Sequence, residues 1–218
     1  MKEIKKLIYL TSHRILLEKY IKQIFLKFQL ESKKSISKIV VYGCSKPRYK
    51  SLCENANWYF FDKYPVDSGI SKADVDNIPL DSTDVFLCIE VLQYIGLAEI
   101  EKLFNEAQRL IASGGVAIFS VPYLYPINHE ELMRLADQKS YQQFVNSNFV
   151  FDFYSFGNII SIIHDLLFYF IYYPRKKFLS RFLLTLIMPL KYFAHLLDDL
   201  DLFRVKSGNI FTIRKVNK

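Results

Sequence analysis

Four short apolar runs, each closed by a turn residue or an acid, constrain this chain more than any other feature. KIVVYG (38–43) ends at a glycine, NWYFFD (57–62) and DVFLCIE (84–90) end at acids, and VAIFSVP (116–122) ends at a proline. Runs of this length and nearly continuous apolar character read as strands buried on both faces. Between the third and fourth, residues 97–111 place Ile100, Leu103, Phe104, Ala107 and Ile111 on one helical stripe. Ser113-Gly114-Gly115 is expected to cap that helix through a left-handed turn. Strands alternating with helices predict an α/β fold, a parallel sheet covered on both faces.

The flanking segments differ in character. Residues 13–30 carry Leu17, Tyr20, Ile21, Ile24 and Phe28 at helical spacing, with lysines between them. An amphipathic helix is expected there, followed by a polar connector at 32–37. Residues 132–146 read as helix, 149–156 as strand and 208–216 as strand. The stretch 157–200 is strongly apolar, cut by Pro174 and Pro189, and is expected to form a helical insertion. The organisation read from this is a basic amino-terminal helical segment, 1–37, and an α/β domain, 38–218, with the insertion inside it.

Charge is concentrated at the start. The net charge is +7, and residues 1–38 hold ten Lys or Arg against Glu3, Glu18 and Glu31, so the rest of the chain balances to zero. Such a segment suits an anionic surface, nucleic acid or lipid, or is simply a solvated helix face. The three cysteines form no CxxC pair. That pattern fits a reducing compartment, with neither a disulfide framework nor a structural zinc site. No secretory signal is evident at the start, and the expected location is cytoplasmic. His195 and Asp199 share a helix face, but two ligands do not make a metal site, and no metal is expected.

In an open α/β sheet, ligands sit outside the carboxyl ends of the strands, near the point where strand order reverses. The residues at those ends are Gly43-Cys44-Ser45, then Asp62 nineteen residues beyond Gly43, and later Ile89-Glu90. The spacing suits an acid that accepts both ribose hydroxyls, beside a glycine that lets the ligand approach the backbone. GCSKPR (43–48) lacks the second glycine of a dinucleotide fingerprint, so a nucleoside without a diphosphate is expected.

The run from Val40 to Pro122 resembles the class I S-adenosylmethionine-dependent methyltransferases, in the type 11-like branch associated with cell-surface glycans. VVYGCS (40–45) stands at the glycine-rich motif, YFFDKYP (59–65) at the ribose-binding segment and ADVDNIPL (73–80) at the adenine-binding stretch. DVFLCIEVLQYI (84–95) resembles the fourth-strand motif, and EAQRLIASGGVAIFSVPYLYPIN (106–128) the fifth-strand motif and its loop. The resemblance implies a Rossmann-like fold with a mostly parallel seven-stranded sheet whose last strand is antiparallel. It implies S-adenosylmethionine as cofactor. Gly43, Cys44 and Ser45 would then face the methionine part, Asp62 the ribose, Asp74 and Val75 the adenine, and Ile89 with Glu90 the floor near the sulfonium. The chain departs from the pattern at Val41, where an acid is usual, at Ser45, where a glycine is usual, and at Tyr94, where a histidine is common.

The function implied is methyl transfer to an oxygen of a glycan or lipid-linked saccharide. The acceptor hydroxyl needs a base, and His129 in the loop after the fourth run is the candidate. Val41 and Ser45 motivate an alternative, a methyltransferase-like binding or assembly protein without catalysis. Nucleic acid is not expected as a substrate, because Ile89-Glu90-Val91-Leu92 stands where amino-group modifiers of nucleic acid have a Pro-Pro-Tyr type motif. From Pro174 to Lys191 there are five basic residues and no acid. An apolar helix with that border fits either a peripheral contact on the inner, anionic face of a membrane, or a lid or dimer interface.

Overall fold

The structure is a computed structural model that describes residues 11–32, 35–44, 49–65, 68–72, 75, 77–122, 138–172, 177–198 and 206–216. The elements in order are α1 (Ser12–Ser32), β1 (Lys38–Tyr42), β2 (Asn57–Asp62), β3 (Ser71–Lys72), β4 (Thr83–Ile89) and α2 (Leu97–Leu110). They continue with β5 (Ile111–Pro122), α3 (Gln138–Gln142), β6 (Phe149–Phe156), α4 (Ile159–Tyr172), α5 (Lys177–Asp198) and β7 (Gly208–Lys215). The seven strands form one sheet in the order β3-β2-β1-β4-β5-β7-β6. The pairs β1/β2, β1/β4, β2/β3 and β4/β5 are parallel. β6 and β7 run antiparallel, since Ser207 N–H donates to the Phe156 carbonyl and Val216 N–H to that of Asn148. This is the Rossmann-like fold, with the mostly parallel seven-stranded sheet that the resemblance implies.

The chain divides into two compact units. The larger draws on Ile21–Val121, Tyr125–Tyr154 and Ile210–Lys218. Its core is aromatic. Phe104 of α2 stacks on Phe119 of β5 with ring centroids 4.6 Å apart, and Phe119 stacks on Phe211 of β7 at 5.3 Å. The buried face of α2 includes Ile100, Leu103, Phe104 and Ala107 of the predicted stripe, whereas the fifth residue expected on it, Ile111, begins β5. Burying each large side chain stabilises by roughly 1.5–3 kcal/mol, which makes this cluster the main anchor of the sheet. Gln108 is buried with it and stays satisfied: its amide donates to the Phe104 and Phe144 carbonyls and accepts from Asn146 N–H.

The Ser113-Gly114-Gly115 expectation needs correction. The helix ends at Leu110 and β5 begins at once, with Ile111 N–H donating to the Ala107 carbonyl. The register jumps from Thr83↔Ile111 to Val85↔Val116, so the glycines form a bulge, with Gly114 at φ +75°. Two glycines after a helix fit a cap or a bulge equally well, and strand pairing decides between them. The helix expected over 132–146 is also shorter where described, since α3 ends at Gln142 and turns follow.

The smaller unit draws on Met1–Tyr20, Pro122–Leu124 and Ser155–Asn209. Here Thr11 Oγ1 caps α1 by accepting Arg14 N–H at 3.2 Å, and the Asp165 carboxylate takes Ser12 and His13 N–H at 2.6 and 2.9 Å. Donors that a helix start leaves open are thereby satisfied by a negative charge, its favoured partner there. Asp165 also bonds His164 Nδ1 at 2.8 Å. Asp198 accepts Tyr20 Oη and Gly157 N–H, and Asn158 caps α4 by accepting Ile160 and Ser161 N–H. α4 and α5 pack against each other.

Candidate active site

The strand order reverses between β1 and β4, so the crevice outside their carboxyl ends is where an open sheet binds its ligand. Gly43 closes β1 with φ +73°, a conformation that favours glycine, and its N–H donates to the Phe61 carbonyl at 2.8 Å. A β-carbon there would collide with the Val91 side chain that follows β4. Cys44 comes next, its thiol 3.8 Å from the Phe61 carbonyl oxygen. Burial and the neighbouring Asp62 carboxylate push that thiol up to about 11, so it stays protonated and is no nucleophile at neutral pH.

Asp62 ends β2 beside this turn, as the sequence pattern requires. Its Oδ1 accepts Tyr64 N–H at 2.8 Å, so it closes the turn it stands in and still presents acceptor capacity to a ligand. Tyr42, at the end of β1, has its phenol pushed up by burial and by its neighbours Cys88, Glu99 and Asp62. Lys63 reaches Glu99 in the first turn of α2 at 3.5 Å, an exposed pair that links the strand ends to the helix. Ile89 and Glu90 close β4. Glu90 sits at φ +57°, a strained position for a residue with a β-carbon. It is held by its N–H donating to the Ser120 carbonyl and hydroxyl, and its own carbonyl accepts the Gln93 side-chain amide at 2.8 Å. Gln93 is buried and its Oε1 has no hydrogen-bond partner among the described residues.

The structure thus brings Gly43, Cys44 and Asp62 together at one edge of the reversal point, with Ile89 and Glu90 at the end of the adjoining strand. Val75 is 7% exposed and belongs to the apolar core. Ser45, Asp74 and His129 lie outside the described residues.

Arg109 escapes a reading of the sequence. It donates to the Val75 and Ile78 carbonyls at 3.1 Å each and pairs with Glu106, fastening the segment that follows β3. Nothing local distinguishes it from an ordinary charged residue of an amphipathic helix. Tyr42 and Gln93 escape for the same reason, since both read as core or surface positions by pattern. A separate groove of about 500 Å³ opens on the β1–β3 face, between Tyr59, Phe61, Lys72 and Ile78, and includes none of the strand-end residues Gly43, Asp62 or Glu90.

Residues 52–119 match the family model of a methyltransferase domain, which takes in β2 to β5 and stops short of the glycine turn. Solved structures share the fold at low identity. One, assigned as a type 11 methyltransferase of Sulfolobus solfataricus, is 17% identical with a TM-score of 0.51, over 92% of each chain. A SAM-dependent methyltransferase of Archaeoglobus fulgidus is 9% identical with a TM-score of 0.53, over 90% of this chain and 94% of its own. A third, assigned as a sarcosine dimethylglycine methyltransferase of Galdieria sulphuraria, is 11% identical with a TM-score of 0.56, over 91% and 85%. No curated protein matches the chain.

Proposed function

We propose that the chain transfers a methyl group from S-adenosylmethionine to an acceptor oxygen, on a glycan or lipid-linked saccharide. The observation that carries the reading is the Asp62 carboxylate beside the Gly43 turn at the strand-order reversal. Those residues fit a nucleoside: a carboxylate with lone pairs to spare, a turn without a side chain, and no glycine cradle for a diphosphate. In this reading Asp62 accepts the ribose hydroxyls, while Gly43, Cys44 and Ser45 face the methionine part. Asp74 and Val75 meet the adenine, and Ile89 and Glu90 form the floor. When bound, the cofactor supplies a methyl group already activated on a sulfonium. The protein's share is then largely positioning, and a base for the acceptor proton. His129 is assigned that proton. The acceptor class follows the family resemblance; a cytoplasmic site of action follows the cysteine pattern, and a place at the inner face of a membrane follows the apolar, cation-bordered stretch 157–200.

Val41 favours a second reading, a methyltransferase-like binding or assembly protein. It is buried within β1, so this strand offers no carboxylate of its own before the turn. Calorimetric titration with S-adenosylmethionine and with its demethylated product separates the two. The enzyme reading expects saturable heat, weakened roughly tenfold to a hundredfold in Asp62→Ala, the value of a charge-assisted hydrogen bond. No heat at millimolar ligand would favour the second reading. His129→Ala should abolish turnover with the true acceptor while leaving cofactor heat unchanged.

A further inference from the structure

Among the described side chains of the α4–α5 hairpin, charge lies on the inside and hydrocarbon on the outside. On α4 the exposed residues are Ile163, Leu166, Leu167 and Phe170, spaced i, i+3, i+4, i+7 and so on one face. On α5 Phe182, Leu186, Phe193 and Leu196 continue the same kind of stripe, joined only by Thr185, Pro189 and Tyr192. No exposed residue of either helix is charged among those whose side chains are described. Phe170 is 76% exposed and Leu196 64%. The charged residues whose side chains are described turn the other way: Asp165 and Asp198 hold backbone and tyrosine donors, and Lys191 is 3% exposed. A helix pair that meets only water has the opposite arrangement, and contiguous apolar faces of this kind mark an interaction surface.

We infer that this face docks on the surface of an anionic lipid bilayer. Charge selects that occupant. Arg175, Lys176, Lys177 and Arg181 fall in the chain between Phe170 and Phe182, where there is no acid. Apolar faces flanking a cationic segment match a leaflet with hydrocarbon below and anionic headgroups above. A second copy would bring the same cation-rich, acid-free stretch of chain, and a twofold interface must complement itself. The helices lie on the bilayer and do not cross it, since no described helix is long and apolar enough to span a membrane. The inference is independent of the methyl-transfer reading, because it uses only residues of the smaller unit.

The test is flotation of the full chain with vesicles of phosphatidylcholine alone, or mixed with phosphatidylglycerol. Binding is expected to the mixed vesicles and to be weaker on the neutral ones. Phe170→Asp and Leu186→Asp should each weaken it roughly tenfold or more. Arg175→Gln and Lys176→Gln should each weaken binding to the mixed vesicles roughly fivefold. Both apolar sites are exposed, so unchanged circular dichroism and thermal unfolding are expected of these variants. In a Phe182→Trp variant, brominated acyl chains should quench emission beyond that of Trp58 in the parent. Recovery of the chain free of both vesicle types would overturn the inference. So would a solution dimer that Phe170→Asp dissociates without changing vesicle binding, which would make the face a self-interface.

Discussion

Gly43 and Val91 touch across the centre of the sheet. Val91 fills the space where a side chain on Gly43 would begin, at the point where strand order reverses. The glycine is therefore required twice, by its φ of +73° and by its neighbour.

Gly43→Ala is expected to destabilise by about 2–4 kcal/mol, combining left-handed backbone strain with the collision. In the double variant Gly43→Ala, Val91→Ala the collision disappears and the backbone strain remains. Chemical denaturation of both single variants and the double should show a favourable coupling of about 1 kcal/mol or more. Strict additivity would mean that the two residues do not meet.

Cys44 reports on Asp62. Its thiol, raised to about 11 by burial and by that carboxylate, should alkylate slowly at pH 8, with a rate still rising above pH 9. Asp62→Asn removes the negative neighbour and should shift the profile to lower pH, with part of the burial effect left. The linkage sign is clear: a thiol raised in the folded state contributes stability that is intact below its unfolded pKa of 9.0 and is lost as pH climbs through about 11. Mass spectrometry of the labelled peptide measures the rates, and S-adenosylmethionine should protect the thiol.

Arg109 acts through the segment it fastens. Arg109→Met removes two donors from the Val75 and Ile78 carbonyls and should cost about 2 kcal/mol of stability. Cofactor affinity should fall roughly tenfold, as the segment after β3 loses its anchor. Arg109→Lys keeps the charge without the planar fork, and should recover little of either. A cofactor titration of full parental affinity in Arg109→Met would dismiss the positioning role.

Lys191 makes the smaller unit sensitive to pH. Burial pushes its ammonium below 10.5, with the Asp165 carboxylate pulling part of the way back. A base depressed in the folded state binds fewer protons there than when unfolded, so stability rises with pH from the folded pKa to about 10.5. Lys191→Met should flatten that rise in urea titrations at a series of pH values. An identical slope in parent and variant would refute the assignment.

Much of the fold is legible in the chain itself. NWYFFD and FVFDFYSF form strands with the bounds the sequence predicts, 57–62 and 149–156, because turn residues bracket both. The α2 stripe is likewise found where its period puts it. Part of the site is legible too: Gly43, Asp62 and Glu90 are strand ends, and strand ends can be found by pattern. The Ser113–Gly115 bulge and the Arg109 anchor are not, since each depends on a partner remote in the chain.

The sequence alone determines which segments become strands, which face of α2 is apolar, and which residues close each strand. Those are local matters of hydrophobic period and turn chemistry. Only the tertiary structure decides that β4 lies beside β1, that Val91 meets Gly43, and that Asp165, Lys191 and Asp198 of α4 and α5 turn inward. These rest on long-range pairing, where burial and hydrogen bonding between distant segments select one arrangement among several that the local pattern allows.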